Sequence, residues 1–286
     1  AYAMDVEWVI EIFGKEGGVI DVKGHLEDGY CGHGWGQAWG VVAGGGKLVV
    51  CPVEQATTKT ILVVETRDTA VVVPTIRSVL QHTSPEWTVT LVHPLRNHDH
   101  THDELKALVA SSGRTFFAVP FDFQIGQDVH RDISALLMNP ELWQRLPAEH
   151  VLVVQQDSGM CADGIEAWLD YDYVGGPWNH RPDGLDVGNG GFSLRSRRFM
   201  EWCAANYTKH RNDPEDVFYA NCVAEHGRAP TKKLASAFSM EAVWHPAPMA
   251  LHKFWWAQIQ ATSKKIKAEV EAAVCAHCPA VASVPG

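Results

Sequence analysis

The chain lacks any apolar run of the roughly 18–20 residues that a membrane-spanning helix needs, and it lacks a leader-like charged-then-apolar opening. It has no G-x-x-x-x-G-K-[ST] loop, no G-x-S-x-G elbow and no G-x-G-x-x-G after a strand. These absences remove P-loop nucleotidases, α/β-hydrolases with a serine elbow and dinucleotide-dependent oxidoreductases of the usual kind. It has no excess of positive charge: 24 Lys and Arg stand against 34 Asp and Glu, a formal net charge of −10. A nucleic-acid surface, or a general affinity for anionic membranes, is therefore not expected, although a small basic patch for a phosphate remains compatible. There is no internal repeat and no low-complexity segment. The seven Cys include one close pair, Cys275-Ala-His-Cys278, without the second pair that a structural zinc site requires. A loose tail or a disulfide is the plainer expectation there.

What is present describes an ordinary globular protein. At 286 residues, with 46% hydrophobic and 20% charged residues, one α/β domain with extensions is expected. Eleven Trp is a high count and mildly favours a sugar-binding surface, since aromatic faces stack on sugars as well as filling cores. The opening Ala1-Tyr2-Ala3-Met4 reads as residues ahead of a natural start, upstream of which a membrane anchor could stand. Asn206-Tyr207-Thr208 is a glycosylation sequon placed in an expected helix.

Organisation changes along the chain. Residues 1–57 are glycine-punctuated with short β-type runs such as Lys47-Leu-Val-Val-Cys-Pro-Val, and read as an irregular β-rich extension. Residues 58–257 read as the main domain. Apolar runs at Thr60–Thr66, Trp87–His93, Thr115–Val119 and His150–Asp157 alternate with helical segments at Val72–Gln81, Thr101–Ser111, Asp132–Met138 and Pro140–Leu146. That alternation implies a mainly parallel sheet with helices on both faces, whose ligands bind beyond the carboxyl ends of the strands. Strands at Tyr171–Gly176 and Val187–Ser193 and helices at Ser196–Tyr207 and Pro214–Glu225 follow. Residues 258–286 form a C-terminal helix and tail, with a packing helix over Trp256–Val274.

Four stretches carry candidate chemistry. Gln155-Gln156-Asp157-Ser158 ends an apolar strand, where a carboxylate can meet a hard cation and a diphosphate; capping a turn is the alternative. The stretch DVGNGGFSLRSRRFM, Asp186 to Met200, places Asn189 among Gly188, Gly190 and Gly191. So much bare backbone is either a tight turn or a close approach to a ligand. Its arginines 195, 197 and 198 are expected to open a helix. In Asn212-Asp213-Pro214-Glu215-Asp216, Asp213 is expected to cap a helix whose first turn carries Glu215 and Asp216. One of those two carboxylates also suits a general base. His252, in Leu251-His-Lys-Phe-Trp-Trp256, suits a metal ligand at a pocket rim. The alternating histidines of His98–Asp103 are read as an adventitious loop.

Taken in order, QxDS, YDYVGGPW, GNGGFSLRS, PEDVF, AxxFSxE and a late His resemble an uncharacterised domain family related to GT-A-fold glycosyltransferases, over about residues 58–257. More distantly, the layout is similar to metal-dependent Golgi galactosyltransferases. The resemblance implies a GT-A-like α/β fold with a Rossmann-like nucleotide-binding half. It implies Asp157 and His252 as ligands of Mn²⁺ or Mg²⁺, with Thr66, Arg67, Gln155 and Gln156 beside the nucleotide. It implies Trp178, Asn189, Gly190 and Gly191 at the sugars, and Asp216, or Glu215, as the base. One position departs from the pattern: Gln155 stands where the family's Asp-x-Asp motif has its first carboxylate, which weakens the expected hold on the metal.

The expectation is thus a divalent-metal-assisted, inverting glycosyltransferase. It would move a sugar from a nucleotide-diphosphate donor, with UDP favoured, to a glycan hydroxyl. The Golgi lumen is favoured as its location and the cytoplasm is the alternative. Two other classes are weighed against it: a non-catalytic carbohydrate or nucleotide-sugar binding protein, and a metal-dependent phosphohydrolase or nucleotidyltransferase using the same strand-end carboxylate.

Overall fold

A computed structural model describes residues 20–21, 31–33, 38–43, 47–52, 57–65, 69–94, 102–121, 128–179, 187–253 and 276–278. Near the N-terminus, β1 (Ile20–Asp21), β2 (Cys31–His33), β3 (Ala38–Ala43) and β4 (Lys47–Pro52) form an antiparallel sheet in the order β1-β4-β3-β2. The expected helix over Trp256–Val274 lies outside the described residues.

The main sheet has six strands. They are β5 (Lys59–Val64), β6 (Thr88–Pro94), β7 (Phe116–Phe121), β8 (His150–Val154), β10 (Tyr173–Gly175) and β11 (Phe192–Ser196), in the order β10-β11-β8-β5-β6-β7. β7, β6, β5 and β8 run parallel to one another, while β11 runs antiparallel to β8 and to β10. A small second sheet joins β9 (Ser158–Met160) to β13 (Ala250–His252) and β12 (Ser239–Met240). Among the described residues, no helix is long and apolar enough to cross a membrane.

Both faces of the sheet are covered, so its central strands are apolar on successive residues. Leu62, Val92, Phe117, Val119, Val151 and Val153 share one core cluster. Ile61, Val63, Val89, Leu91, Leu152 and Val154 share the other. The period-two alternation sorts neighbours along one strand to opposite faces. The first face is covered by α3 (Val129–Leu137), α4 (Pro140–Arg145), α5 (Arg197–Asn206) and α6 (Glu215–His226). The second is covered by α1 (Val73–Gln81), α2 (Asp103–Ser111) and Phe238 at the end of α7 (Lys232–Phe238). Pro140 opens α4 behind Asn139, whose side chain accepts from the Glu141 amide at 2.9 Å.

Three local expectations change. The strand expected over Val187–Ser193 lies at Phe192–Ser196, because Asn189–Gly191 is a turn pinned by its own hydrogen bonds. Arg195 is therefore a strand residue, fully buried, while Arg197 and Arg198 stand at the start of α5 within ion-pair distance of Glu149. Asp213 does not cap α6: Pro214 occupies the N-cap position and Asp213 pairs with His210 at 2.9 Å. Two disulfides are present among the described residues, Cys203–Cys222 between α5 and α6, and Cys161–Cys278 between the end of β9 and the C-terminal tail.

Leu62 is fully buried on the central strand of the sheet. Replacing it with Ala is expected to destabilise the domain by about 2–5 kcal/mol, read from urea unfolding midpoints at unchanged slope.

Candidate active site

Chain order creates the crevice. From β5 the chain builds outward through β6 and β7, then returns to place β8 on the other side of β5. The reversal falls between β5 and β8, and in open α/β sheets ligands bind outside the carboxyl ends of the strands at that point. Gln155, Gln156 and Asp157 make the turn that leaves β8 there. Thr66 and Arg67, expected at the nucleotide, lie outside the described residues.

His252 is brought to this turn by the second sheet. β13 pairs antiparallel with β9, so that His252 stands opposite Ser158, one residue past Asp157. The pairing is extended by the Lys253 amide, which donates to the Asp157 carbonyl at 3.1 Å. The imidazole is 1% exposed. Its Nε2 lies 3.1 Å from Asp157 Oδ1 and 3.2 Å from Gln155 Oε1, and its Nδ1 lies 3.5 Å from Glu241 Oε1. Burial works against a proton on this ring, but Asp157 and Glu241 on its two sides outweigh it and hold the pKa above the ordinary value. Burial likewise works to raise the Asp157 carboxyl, and the facing imidazole and Lys253 bring it below the usual value.

Two carboxylates, an imidazole and an amide oxygen therefore converge, and they are incompletely satisfied by each other. Asp157 Oδ1, His252 Nδ1 and Glu241 Oε2 are buried without a hydrogen-bond partner. The 3.1 Å contact of Asp157 with Nε2 is an ion-pair distance without hydrogen-bond alignment. It also matches the spacing of adjacent ligands around an octahedral ion bonded at about 2.1 Å. Gln155 Oε1, Asp157 Oδ1 and His252 Nε2 fit a divalent cation that draws its other ligands from phosphate and water. Among the described residues, no three His, Cys, Asp or Glu side chains are grouped so as to hold a metal, and the third protein oxygen here belongs to an amide.

The glycines explain how this centre meets the rest of the site. A Cβ on Gly191 would fall 2.1 Å from His252 Nε2, and one on Gly190 would fall 2.1 Å from Glu215 Oε1 and 3.2 Å from the Asp216 Cβ. Only bare backbone can pass between the imidazole and the carboxylates of α6. Asn189 fixes the turn by accepting the Gly191 amide on Oδ1 at 2.7 Å. The Gly191 carbonyl accepts from the Gln155 amide at 2.8 Å and from Ser158 Oγ at 3.0 Å. With consecutive Cα atoms about 3.8 Å apart, these contacts bound the distance from His252 Nε2 to the Asp216 Cβ at about 12 Å.

The two carboxylates that open α6 differ. Glu215 is buried and bidentate with Arg195, at 2.7 Å from Nη1 and 3.2 Å from Nη2. Asp216 is half-buried, and its Oδ1 accepts the Val217 amide at 2.8 Å. Burial first, and the neighbouring Glu215 second, push the Asp216 carboxyl up to about 6. A base near neutrality is what proton removal from a hydroxyl requires.

Trp178, expected to stack on a sugar face, lies in the first core cluster. The ring is 8% exposed, belongs to the core, and is packed so closely on Gly188 that a Cβ there would lie 2.7 Å from it. Gln156 lies half-buried in the turn after β8, its carbonyl accepting from Thr75 Oγ1 of α1 at 2.6 Å. Of the histidine loop, His98 to Thr101 lie outside the described residues, and His102 is buried and stacked between His93 and Phe116. Two residues of the site carry no role in the sequence reading. Glu241 was visible within AxxFSxE, but nothing in one dimension ties it to His252. Arg195 was visible as an Arg two residues past Ser193, and only the strand register turns it inward.

The profile of a family described as a protein of unknown function (DUF5672) matches residues 119–252, which include the turn after β8, the glycines, α6 and His252. No curated protein matches the chain. Among solved structures, the chain is similar to the glycosyltransferase GlyE of Streptococcus pneumoniae TIGR4 at 10% identity and a TM-score of 0.45, covering 75% of this chain and 60% of that one. It is also similar to S. aureus TarS 1–349 at 10% identity and a TM-score of 0.44, covering 76% of this chain and 70% of that one. The chain thus spans well under two thirds of GlyE, and likenesses at this level bear on neither donor nor acceptor.

Proposed function

We propose that the chain is a glycosyltransferase that moves a sugar from a nucleotide-diphosphate donor, a UDP-sugar by preference, to a hydroxyl of a glycan. The observation that carries this reading is the pair of neighbours on either side of Gly190-Gly191. On one side stands an Asp157–His252 centre suited to a cation and a diphosphate, on the other a carboxylate, Asp216, suited to take a proton. Mn²⁺ or Mg²⁺ held by Asp157 and His252, with Gln155 beside them, would supply electrostatic stabilisation of the departing diphosphate.

The chain's own groups do the rest in this proposal. The bare backbone at Gly190 and Gly191 lets the two centres stand close together, and the donor sugar and the acceptor would meet between them. Asp216 takes the proton of the acceptor hydroxyl as its oxygen bonds to the anomeric carbon. The bond from that carbon to the phosphate oxygen breaks, and the electron pair leaves with the diphosphate. With a single base at the acceptor, inversion at the anomeric carbon follows. We further propose an oxidising compartment such as the Golgi lumen, which is supported by the two disulfides, since such bonds persist chiefly outside the cytosol.

Four outcomes are expected. A thermal-shift screen of nucleotide sugars should find a donor that stabilises the protein only with Mn²⁺ present, and Asp157→Ala or His252→Ala should abolish that shift. Donor binding without product would instead mark a carbohydrate-binding protein, and donor cleavage without transfer a phosphohydrolase. Gly191→Ala should reduce the metal-dependent shift while the protein remains folded by circular dichroism, because a methyl group there displaces an imidazole held on both ring nitrogens. Asp216→Asn should lower kcat by about 10²–10⁴, and wild-type kcat/KM should fall as pH drops through about 6, where the Asp216 carboxylate takes up a proton. Under native, non-reducing alkylation, Cys161, Cys203, Cys222 and Cys278 should stay unlabelled in protein isolated from a secretory host.

A further inference from the structure

We propose that Arg195 is a positioning residue of this site: it clamps Glu215 and the Gly190 carbonyl together, withdraws Glu215 from chemistry and leaves Asp216 as the carboxylate that meets the acceptor hydroxyl. The inference rests on the glycosyl-transfer reading and deepens it.

Arg195 is a fully buried cation. All three of its guanidinium nitrogens are engaged: Nη1 and Nη2 with Glu215, Nη2 also with the Gly190 carbonyl at 3.2 Å, and Nε with Ser193 Oγ at 2.8 Å. Ser193 Oγ in turn donates to the same Gly190 carbonyl at 2.9 Å. The guanidinium carbon lies 5.0 Å from the ring centre of Tyr173, 5.5 Å from that of Tyr219 and 5.9 Å from that of Trp143. The planar fork suits bidentate carboxylate recognition, and the rings add cation–π attraction that a lysine head could not share in the same geometry.

This arrangement uses both oxygens of Glu215. Its side chain is 7% exposed, and neither oxygen is left to accept a proton from a substrate. Among the described residues no hydrogen bond reaches Asp216 Oδ2, and Oδ1 accepts only the amide next to it. A buried ion pair is seldom kept for stability alone, because well-packed apolar residues of similar volume serve as well or better. Here the pair has a second consequence. The charged groups that act on Asp216 are Glu215 on its own helix, Arg195 from β11 and Glu241 after β12; Glu215 and Glu241 raise its pKa and Arg195 lowers it. Arg195 therefore offsets part of the adjacent like charge on Asp216.

The test is a carboxyl ¹³C NMR titration of Asp216, assigned by its loss in Asp216→Asn, run beside pH–rate profiles. Glu215→Gln removes the like charge and keeps a partner for the guanidinium, so the Asp216 midpoint should move down by about half a pH unit or more. Arg195→Met should move it up by a similar amount. The acid limb of kcat/KM should follow in each case. Arg195→Lys keeps the charge but not the fork, and should lower kcat by roughly tenfold or more while leaving donor KM within about twofold, because the Gly190 backbone loses its anchor. If Arg195→Met does not fold, the double substitution Arg195→Met with Glu215→Met replaces the pair by apolar volume. It should leave Asp216 titrating while kcat falls for want of the Gly190 anchor.

Coincident Asp216 midpoints in wild type and Glu215→Gln would overturn the inference. So would a Glu215→Gln enzyme as inactive as Asp216→Asn. The titration reads the clamp without turnover, so failure of the transfer reading is separately visible: no product from any nucleotide sugar, with the midpoint shifts intact.

Discussion

At Gly190 and Gly191 the backbone passes between an imidazole and an ion pair, at separations that a single methyl group would close. Much of the site follows from that squeeze. Because the backbone is bare, the Asp157–His252 pair and the carboxylate pair of α6 face the same few atoms. Because it is also hydrogen-bonded on both sides, to Gln155 and Ser158 on one and to Arg195 and Ser193 on the other, it acts as a fixed wall. Catalytic geometries tolerate misplacement poorly, and a rigid wall between two centres fixes their separation better than mobile side chains would.

The elements around the wall are anchored accordingly. β8 delivers Asp157 from the centre of the sheet, where burial on both faces holds it. His252 arrives from far along the chain, on a strand whose register with β9 is set by backbone hydrogen bonds and continued by Lys253. α6 is tied to α5 by the Cys203–Cys222 disulfide and to the wall by Arg195. Charges that repel are dispersed among partners: His252 stands between Asp157 and Glu241, and Arg195 is matched to Glu215. Of the four acidic side chains of the site, Asp157 and Glu241 face the His252 imidazole, Glu215 faces Arg195, and Asp216 has an upward-shifted pKa.

How much of this was legible beforehand can be argued residue by residue. The continuous apolar runs at β5, β6 and β8 gave the parallel sheet, because strands covered on both faces cannot afford polar residues on either. Asp157, at the end of such a run, was legible as a strand-end carboxylate. The pair Glu215-Asp216 was legible as a helix start with spare charge. Trp178 was legible only as an aromatic ring, since a sequence does not show which way such a ring faces. The strand at Phe192–Ser196 was placed too early, because glycine-rich turns and strands both lack helical periodicity. Arg195 was read as a residue opening the next helix for that reason alone.

By itself, the sequence determined the class of the sheet and which polar residues follow the carboxyl ends of its strands. Those features rest on local patterns: period-two alternation, apolar run length, and the conformational freedom of glycine. Only the tertiary structure decided which of those groups meet. His252 and Asp157 are separated by 95 positions in the chain (252 − 157) and joined by a strand pairing that no local pattern encodes. The difference in surroundings between Glu215 and Asp216 is likewise tertiary. Two neighbouring carboxylates of similar chemistry were separated by one buried guanidinium, and its reach depended on which face of a strand it occupied.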